Sequence, residues 1–365
     1  MRKLFVAIAL LSLVTSCAYA RSYTIRELAK PAGYDTIDAW SMNDSGVVVG
    51  CLKDQSGGTH VTRWNADATV TQDFANVAGF DSQWAVQINN SGQVLLSLYN
   101  STTTVQSGCL LNSDGTGTDL GSLGGSTFTM SIPISMSDNG SWIVGYSDAA
   151  IADVRGFVWN RATGMDELEL PLSLGSCVRV NNDGIVAGTC WNETENTAYA
   201  VRWNGTELTN LGSELGFETS VRNINNAGDI VGYGYSLGHL YALRWLPDGR
   251  SMILGDGVAQ SINEYGQVAG FLSRPSDTES VMGRIFCSAA LWEADGERVE
   301  LGSLPGFDQS WALDINNEGQ VLGIVYNTQT QESRPVIWQP VPEPSGILAL
   351  IFGTCGLGGM ALRRR

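Results

Sequence analysis

Histidine is nearly missing from this chain of 365 residues: only His60 and His239 occur. They stand in different repeats of the pattern described below, and no C-x-x-C pair exists to complete a tetrahedral zinc site with them. No glycine pattern of the dinucleotide or phosphate-loop kind opens a helix. No loop carries the alternating aspartates and distal glutamate of a calcium hand, although Asn112–Gly115 and Asn181–Gly184 offer oxygen atoms. Charge is scarce as well, at 16% of residues, where about a quarter is usual for soluble domains. Basic charge is scarcest, 21 residues against 37 acidic. Five of the basic residues (Arg2, Lys3, Arg363, Arg364, Arg365) belong to the two ends, so the middle holds 16 against 37, a net charge of −21. Such a field repels phosphate backbones and excludes nucleic acid as an expected partner; it attracts divalent cations only diffusely. No cofactor is expected.

What remains is apolar and glycine-rich. Apolar residues make up 43%, enough for a sizeable core, and 43 glycines without a collagen period suit many tight turns between short strands. Residues 1–20 read as a secretory signal peptide. Arg2 and Lys3 form the basic start, Leu4 to Val14 the apolar stretch, and Ala18-Tyr19-Ala20 the cleavage site, giving a mature start near Arg21. The stretch is too short to span a bilayer. A competing reading lipidates Cys17, because Val14-Thr15-Ser16-Cys17 loosely matches a lipobox. At the other end Val341-Pro342-Glu343-Pro344-Ser345 precedes an uncharged run, Gly346 to Leu362, closed by Arg363-Arg364-Arg365. The run reaches across a thin bilayer as a helix, with the arginines cytoplasmic. This order resembles the PEP-CTERM sorting signal of Gram-negative bacteria. The resemblance implies export by signal peptidase, an inner-membrane precursor, and recognition by an exosortase, a membrane-embedded cysteine transpeptidase, with delivery to the cell surface or matrix.

Between the ends one phrase recurs seven times: an apolar residue, Asn or Ser, polar residues, then Gly and an apolar strand. Its copies include Met42-Asn43-Asp44-Ser45-Gly46, Ile88-Asn89-Asn90-Ser91-Gly92 and Ile315-Asn316-Asn317-Glu318-Gly319, and the Gly-to-Gly spacings are 46, 48, 44, 44, 38 and 53. A tryptophan closes a later strand in six units (Trp64, Trp159, Trp203, Trp245, Trp292, Trp338), and Cys109-Leu110-Leu111 replaces it in the second. The last unit parses as strands at 310–315, 320–326 and 334–338, preceded by 298–301. The Asn-Gly phrase sits at a hairpin that needs positive φ. Four strands in about 45 residues, repeated seven times, predict an all-β, seven-bladed β-propeller over residues 21–340, with the signal peptide before it and the sorting segment 341–365 after it. The tryptophans are expected between blades. The prolines at 340 and 342 oppose a further central strand, while Tyr23–Leu28 is a spare strand at the start. The ring is therefore expected to close by pairing Tyr23–Leu28 beside Arg334–Trp338.

These units resemble the bacterial extracellular repeats named for a His-Ala-Phe tripeptide. Leu120-Gly-Ser-Leu123-Gly124-Gly125 and the Asn-Gly turns carry the likeness. The namesake histidine does not: His60, Arg155, Tyr199, Tyr241, Ser288 and Arg334 stand four residues before the tryptophans. The resemblance implies a fold and a location rather than catalytic residues. Gly234-Tyr235-Ser236-Leu237-Gly238 matches the G-x-S-x-G pattern of serine hydrolases, but no helical period follows, so it reads as a loop between strands. Cys177 and Cys190 flank one hairpin and are the best pair for a disulfide in an oxidising compartment. Two functions follow. One is a non-enzymatic surface or matrix protein presenting propeller loops to polysaccharide or to surface proteins. The other is an exported glycan hydrolase or lyase using carboxylates in the central channel.

Overall fold

A computed structural model describes residues 22–341, apart from 75, 125–129, 151–152, 169–172, 193, 195 and 276–284. The expected signal peptide, the cleavage site at Ala18 and Ala20, and nearly all of the sorting segment lie outside these residues. Among the described residues there is no helix, and so none long and apolar enough to cross a membrane. Residues 23–340 form one compact unit of seven antiparallel sheets, each of four strands: a seven-bladed β-propeller.

Each blade runs outward from an inner strand beside the central channel. Blade 2 is typical: Ser82–Ile88 inside, then Val94–Asn100, Val105–Leu111 and a short outer strand Gly117–Asp119. The inner strands of the other blades are Tyr34–Met42, Ser131–Met136, Ser173–Val180, Glu218–Ile224, Val258–Ile262 and Gln309–Ile315. The sequence repeat is out of phase with the blade by one strand. Arg298–Glu300, which precedes the seventh unit in the chain, is the outer strand of blade 6, hydrogen-bonded to Ile285–Trp292. The same offset leaves blade 7 one strand short. Tyr23–Glu27 completes it, antiparallel to Ser333–Pro340 with Tyr23 opposite Pro340 and Glu27 opposite Val336. This is the closure expected from the repeat phase, and it removes the exposed edges of an open arc.

Every inner strand carries a bulge in its second half, at residue 40 in blade 1, 86 in blade 2 and 313 in blade 7, for example. The distortion explains the Val-x-Gly phrase of the second strands. A Cβ on Gly50, Gly232 or Gly323 would lie 1.9–2.1 Å from an inner-strand carbonyl oxygen. Five of the six repeated tryptophans are buried, Trp64, Trp245, Trp292 and Trp338 fully, while Trp203 is half-buried. Each packs on the blade before it, as Trp338 does on Ala269, Ala289 and Leu291 of blade 6.

Candidate functional site

All seven inner strands end in the Asn-Gly turn, so these turns ring one mouth of the channel. The positive φ falls on the glycines, between 68° and 86°, rather than on the asparagines. The asparagines do something else. Asn316 is buried; its Oδ1 accepts the backbone N–H of Glu318 and of Gln320, at 3.1 and 2.9 Å, and so ties its own turn. Its Nδ2 donates to the carbonyl of Asn43 in blade 1, at 3.1 Å. Asn43 donates in the same way to Asn89, Asn181 to Asn225, Asn225 to Asn263 and Asn263 to Asn316, at 3.0–3.2 Å. One side chain thus latches two blades while satisfying buried backbone groups that would otherwise cost about 1–3 kcal/mol each. In blade 3 the position is Ser137, whose hydroxyl accepts from Trp142 of its own turn. That turn is one residue longer: the Ser137 N–H reaches the carbonyl of Trp142, where Asn89 reaches Gln93.

The next residue of each turn forms a second ring. Asp44, Asn90, Asn182, Asn226, Glu264 and Asn317 link around it. The backbone N–H of one blade meets the side-chain oxygen of the next, as from Asn182 to Asn226, from Glu264 to Asn317 and from Asn317 to Asp44, at 2.8–2.9 Å. Asn226 also donates to Glu264 and, across two blades, to Asp138, at 2.8 and 2.9 Å. Below lies a third layer, the residues that follow the bulges. Asp314 accepts from the backbone of Met42 in blade 1 and from the hydroxyl of Ser261 in blade 6, at 2.9 and 2.8 Å. Gln87 accepts from the backbone of Met136. Burial, with the nearby charge of Asp138, pushes the Asp314 carboxyl up to about 6. Burial also raises Asp138 and Glu264, and the charge of Asp44 adds to both. The space left among these layers is a cavity of about 80 Å3. That is room for two or three waters at about 30 Å3 each, well short of the about 300 Å3 at which small-molecule sites begin.

The opposite mouth is built from residues that do not repeat. Between blades 4 and 5 a cleft of about 330 Å3 opens, lined by Thr189 on one side and by Glu218, Ser220, Tyr233 and Tyr235 on the other. Ser220 and Tyr233 face each other in the ladder. In blades 2 and 7 the place of Ser220 is taken by Trp84 and Trp311, opposite Ser97 and Ile324. The large side chain has changed strands, and the cleft is the space it vacates. Nothing local marks these residues, and Tyr235 stands in the stretch expected to be a loop; the signal is a small residue at a phase where blades 2 and 7 carry tryptophan.

The remaining candidates resolve plainly. Ser236 ends one strand of a two-residue hairpin and pairs with His239, with Leu237 and Gly238 at positive φ, so the G-x-S-x-G match is a β-turn. His60 is held by Asp54 at 3.0 Å. Asp114 is spent on the N–H and hydroxyl of Thr116 within its own turn. Among the described residues no three His, Cys, Asp or Glu side chains are placed to hold a metal ion. The Cys177–Cys190 bridge is not formed. Cys190 is a buried free thiol opposite Leu174, the register shifting on either side of Ser176; the Cys177 side chain lies outside the described residues. Burial pushes the thiols of Cys51, Cys109 and Cys190 up to about 11, which makes them poor nucleophiles.

No protein-family model matches the chain, and no curated protein sequence does. Solved structures share its fold. The β-propeller domain of the Trilobed protease from Pyrococcus furiosus, described as having an open velcro topology, superimposes with a TM-score of 0.55 at 10% identity, over 86% of this chain and 99% of that one. A puromycin hydrolase gives 0.52 at 12% identity over 87% of this chain, and a prolyl endopeptidase 0.54 at 9% over 82%. This chain spans 57% and 48% of the length of those two enzymes. At such identities the likeness is one of fold alone.

Proposed function

We propose that this is an exported, non-enzymatic cell-surface or matrix protein whose propeller binds extracellular polysaccharide or surface proteins. The observation that carries this reading is the state of the channel. Its carboxylates, Asp44, Asp138, Glu264 and Asp314, are engaged in blade-to-blade hydrogen bonds, and the cavity among them admits no sugar ring. They hold the ring together, and binding is left to the clefts and loops around it. Delivery is the part played by the ends. The basic and apolar start with Ala18 and Ala20 suits signal peptidase. The Val341 to Ser345 motif, apolar run and Arg363 to Arg365 suit an exosortase working on an inner-membrane precursor.

Replacing Pro342, Glu343 and Pro344 by alanine tests the delivery. Export should persist, with the protein accumulating in the inner membrane; release at the wild-type rate would refute sorting by this motif. A second reading, hydrolysis or elimination of glycans by the channel carboxylates, is favoured by their convergence alone. Turnover of a glycan panel that disappears in Asp314→Asn would establish it in place of the first.

A further inference from the structure

We propose that the cleft between blades 4 and 5 is a subsite for one pyranose ring of an uncharged polysaccharide. This rests on the binding role proposed above and places it. The cleft, about 330 Å3, falls at the lower end of the range for small-molecule sites, about 300–1,000 Å3. Its wall is amphipathic in the way a sugar is. Tyr235 is 47% exposed and stands two residues from Tyr233, so the strand carries both on one face. The Arg222 guanidinium lies 5.1 Å from the Tyr233 ring centre and holds that ring in place. An exposed ring with a wet hydroxyl offers an apolar face to sugar C–H groups and a polar edge to their hydroxyls. The polar groups are already oriented. The hydroxyls of Thr189 and Ser220 lie 3.1 Å apart across the two blades, and exposed Glu218 offers a carboxylate that accepts strong hydrogen bonds from hydroxyl donors.

Charge selects among polysaccharides. The chain carries a net charge of −16, and the cleft adds a carboxylate, so an anionic polymer is repelled where a neutral one is not. Shape selects as well. The cleft exists because Ser220 stands where blades 2 and 7 carry Trp84 and Trp311. A tryptophan at 220 should therefore fill it.

The test is affinity electrophoresis of the mature protein through gels containing dextran, xylan or galactomannan, with alginate as the anionic control. The expected result is retardation by at least one neutral polymer and none by alginate. Tyr235→Ala and Ser220→Trp should each weaken that retardation about tenfold or more, the scale of losing one aromatic stacking surface with its hydrogen bonds. Glu218→Gln should weaken it less. Tyr235 is exposed, so its variant keeps the fold if Ser220→Trp does not, and unchanged thermal melting certifies each. Retardation that survives both variants at full strength overturns the cleft and leaves the binding role standing. Retardation by alginate as strong as by the neutral polymers overturns the charge argument and the subsite with it. No retardation by any neutral polymer overturns both the subsite and polysaccharide as the ligand.

Discussion

The two mouths of the channel are built from the same seven inner strands and differ in what repeats. At the Asn-turn mouth nearly every blade contributes the same donor and acceptor, and each side chain hands a hydrogen bond to its neighbour until the ring is latched. At the other mouth the equivalent position holds tryptophan in blades 2 and 7, Trp84 and Trp311, but Ser220 in blade 5, so the surface between blades is not everywhere alike. Repetition serves assembly, because a ring closes only if each blade meets the next in the same way. Recognition needs the reverse: one site of one shape. A residue that obeys the repeat should therefore affect stability, and one that departs from it should affect binding.

Asn316→Ala puts the largest strain on this division. It removes the acceptor for two part-buried N–H groups and the donor to the buried carbonyl of Asn43 in blade 1 in one step. The expected loss is about 2–3 kcal/mol of unfolding free energy in a urea titration, counting about 1 kcal/mol or more for the buried carbonyl and less for each part-buried N–H left without its partner. Tyr235→Ala, at the other mouth, should stay within about 1 kcal/mol of wild type. Equal losses from the two variants would abolish the distinction between the mouths.

The ring architecture was legible because its determinants repeat. Seven Asn-Gly phrases and six tryptophans fix the number of blades. Counting strands to Trp338 showed that blade 7 needed Tyr23–Glu27. The role of the asparagines was not legible. An Asn before a Gly reads as a turn former, and nothing local reveals that its amide crosses to the next blade. Asp314 was hidden for the same reason: its partners, Met42 and Ser261, are supplied by blades distant in sequence. The Cys177–Cys190 pairing failed on register: with Val180 opposite Val186, a regular ladder would set Ser176 opposite Cys190, and the irregularities of the inner strand set Leu174 there instead.

Acid should sharpen the contrast further. The Asp314 carboxyl sits at about 6 in the folded ring and near its ordinary 3.8 in the unfolded chain. The folded state therefore holds the proton more tightly, and stability rises as pH falls from 7 through 6. From pH 7 to 5 this group contributes about 1 kcal/mol. Asp138 and Glu264, also raised, act in the same direction. Below about pH 4 the trend reverses. Half-buried Asp54 and exposed Asp67, Asp114 and Asp248 are held below their usual range mainly by hydrogen bonds within their own turns, and exposed Asp81 by hydrogen bonds from Ser101 of the neighbouring loop; those bonds weaken on protonation. Thermal melts should peak near pH 5. In Asp314→Asn the rise between pH 7 and 5 should shrink, because the amide keeps an acceptor for Met42 and a donor for Ser261 without the charge. A rise of unchanged size would assign it to other carboxylates.

The smallest expected effect comes from repairing the one blade that breaks the rule. Ser137 is buried at the latch position of blade 3, and its hydroxyl spends itself locally, donating to Asn139 and accepting from Trp142. Upstream, the Asn89 amide finds the sulfur of Met136 at 3.9 Å, where other latches find a carbonyl oxygen. The ring is therefore weakest on both sides of blade 3. Ser137→Asn supplies an amide that can donate to the carbonyl of Asn181 and an oxygen that can still accept within the turn. One added hydrogen bond of ordinary net value should stabilise the ring by about 0.5–1 kcal/mol, read as an increased urea midpoint at unchanged slope. The extra residue of this turn decides whether the gain appears. If removing Ser141 is needed before the asparagine stabilises, then turn length is what interrupts the latch. A gain from Ser137→Asn alone would show that the side chain was the missing part and that the longer turn already places it within reach of blade 4.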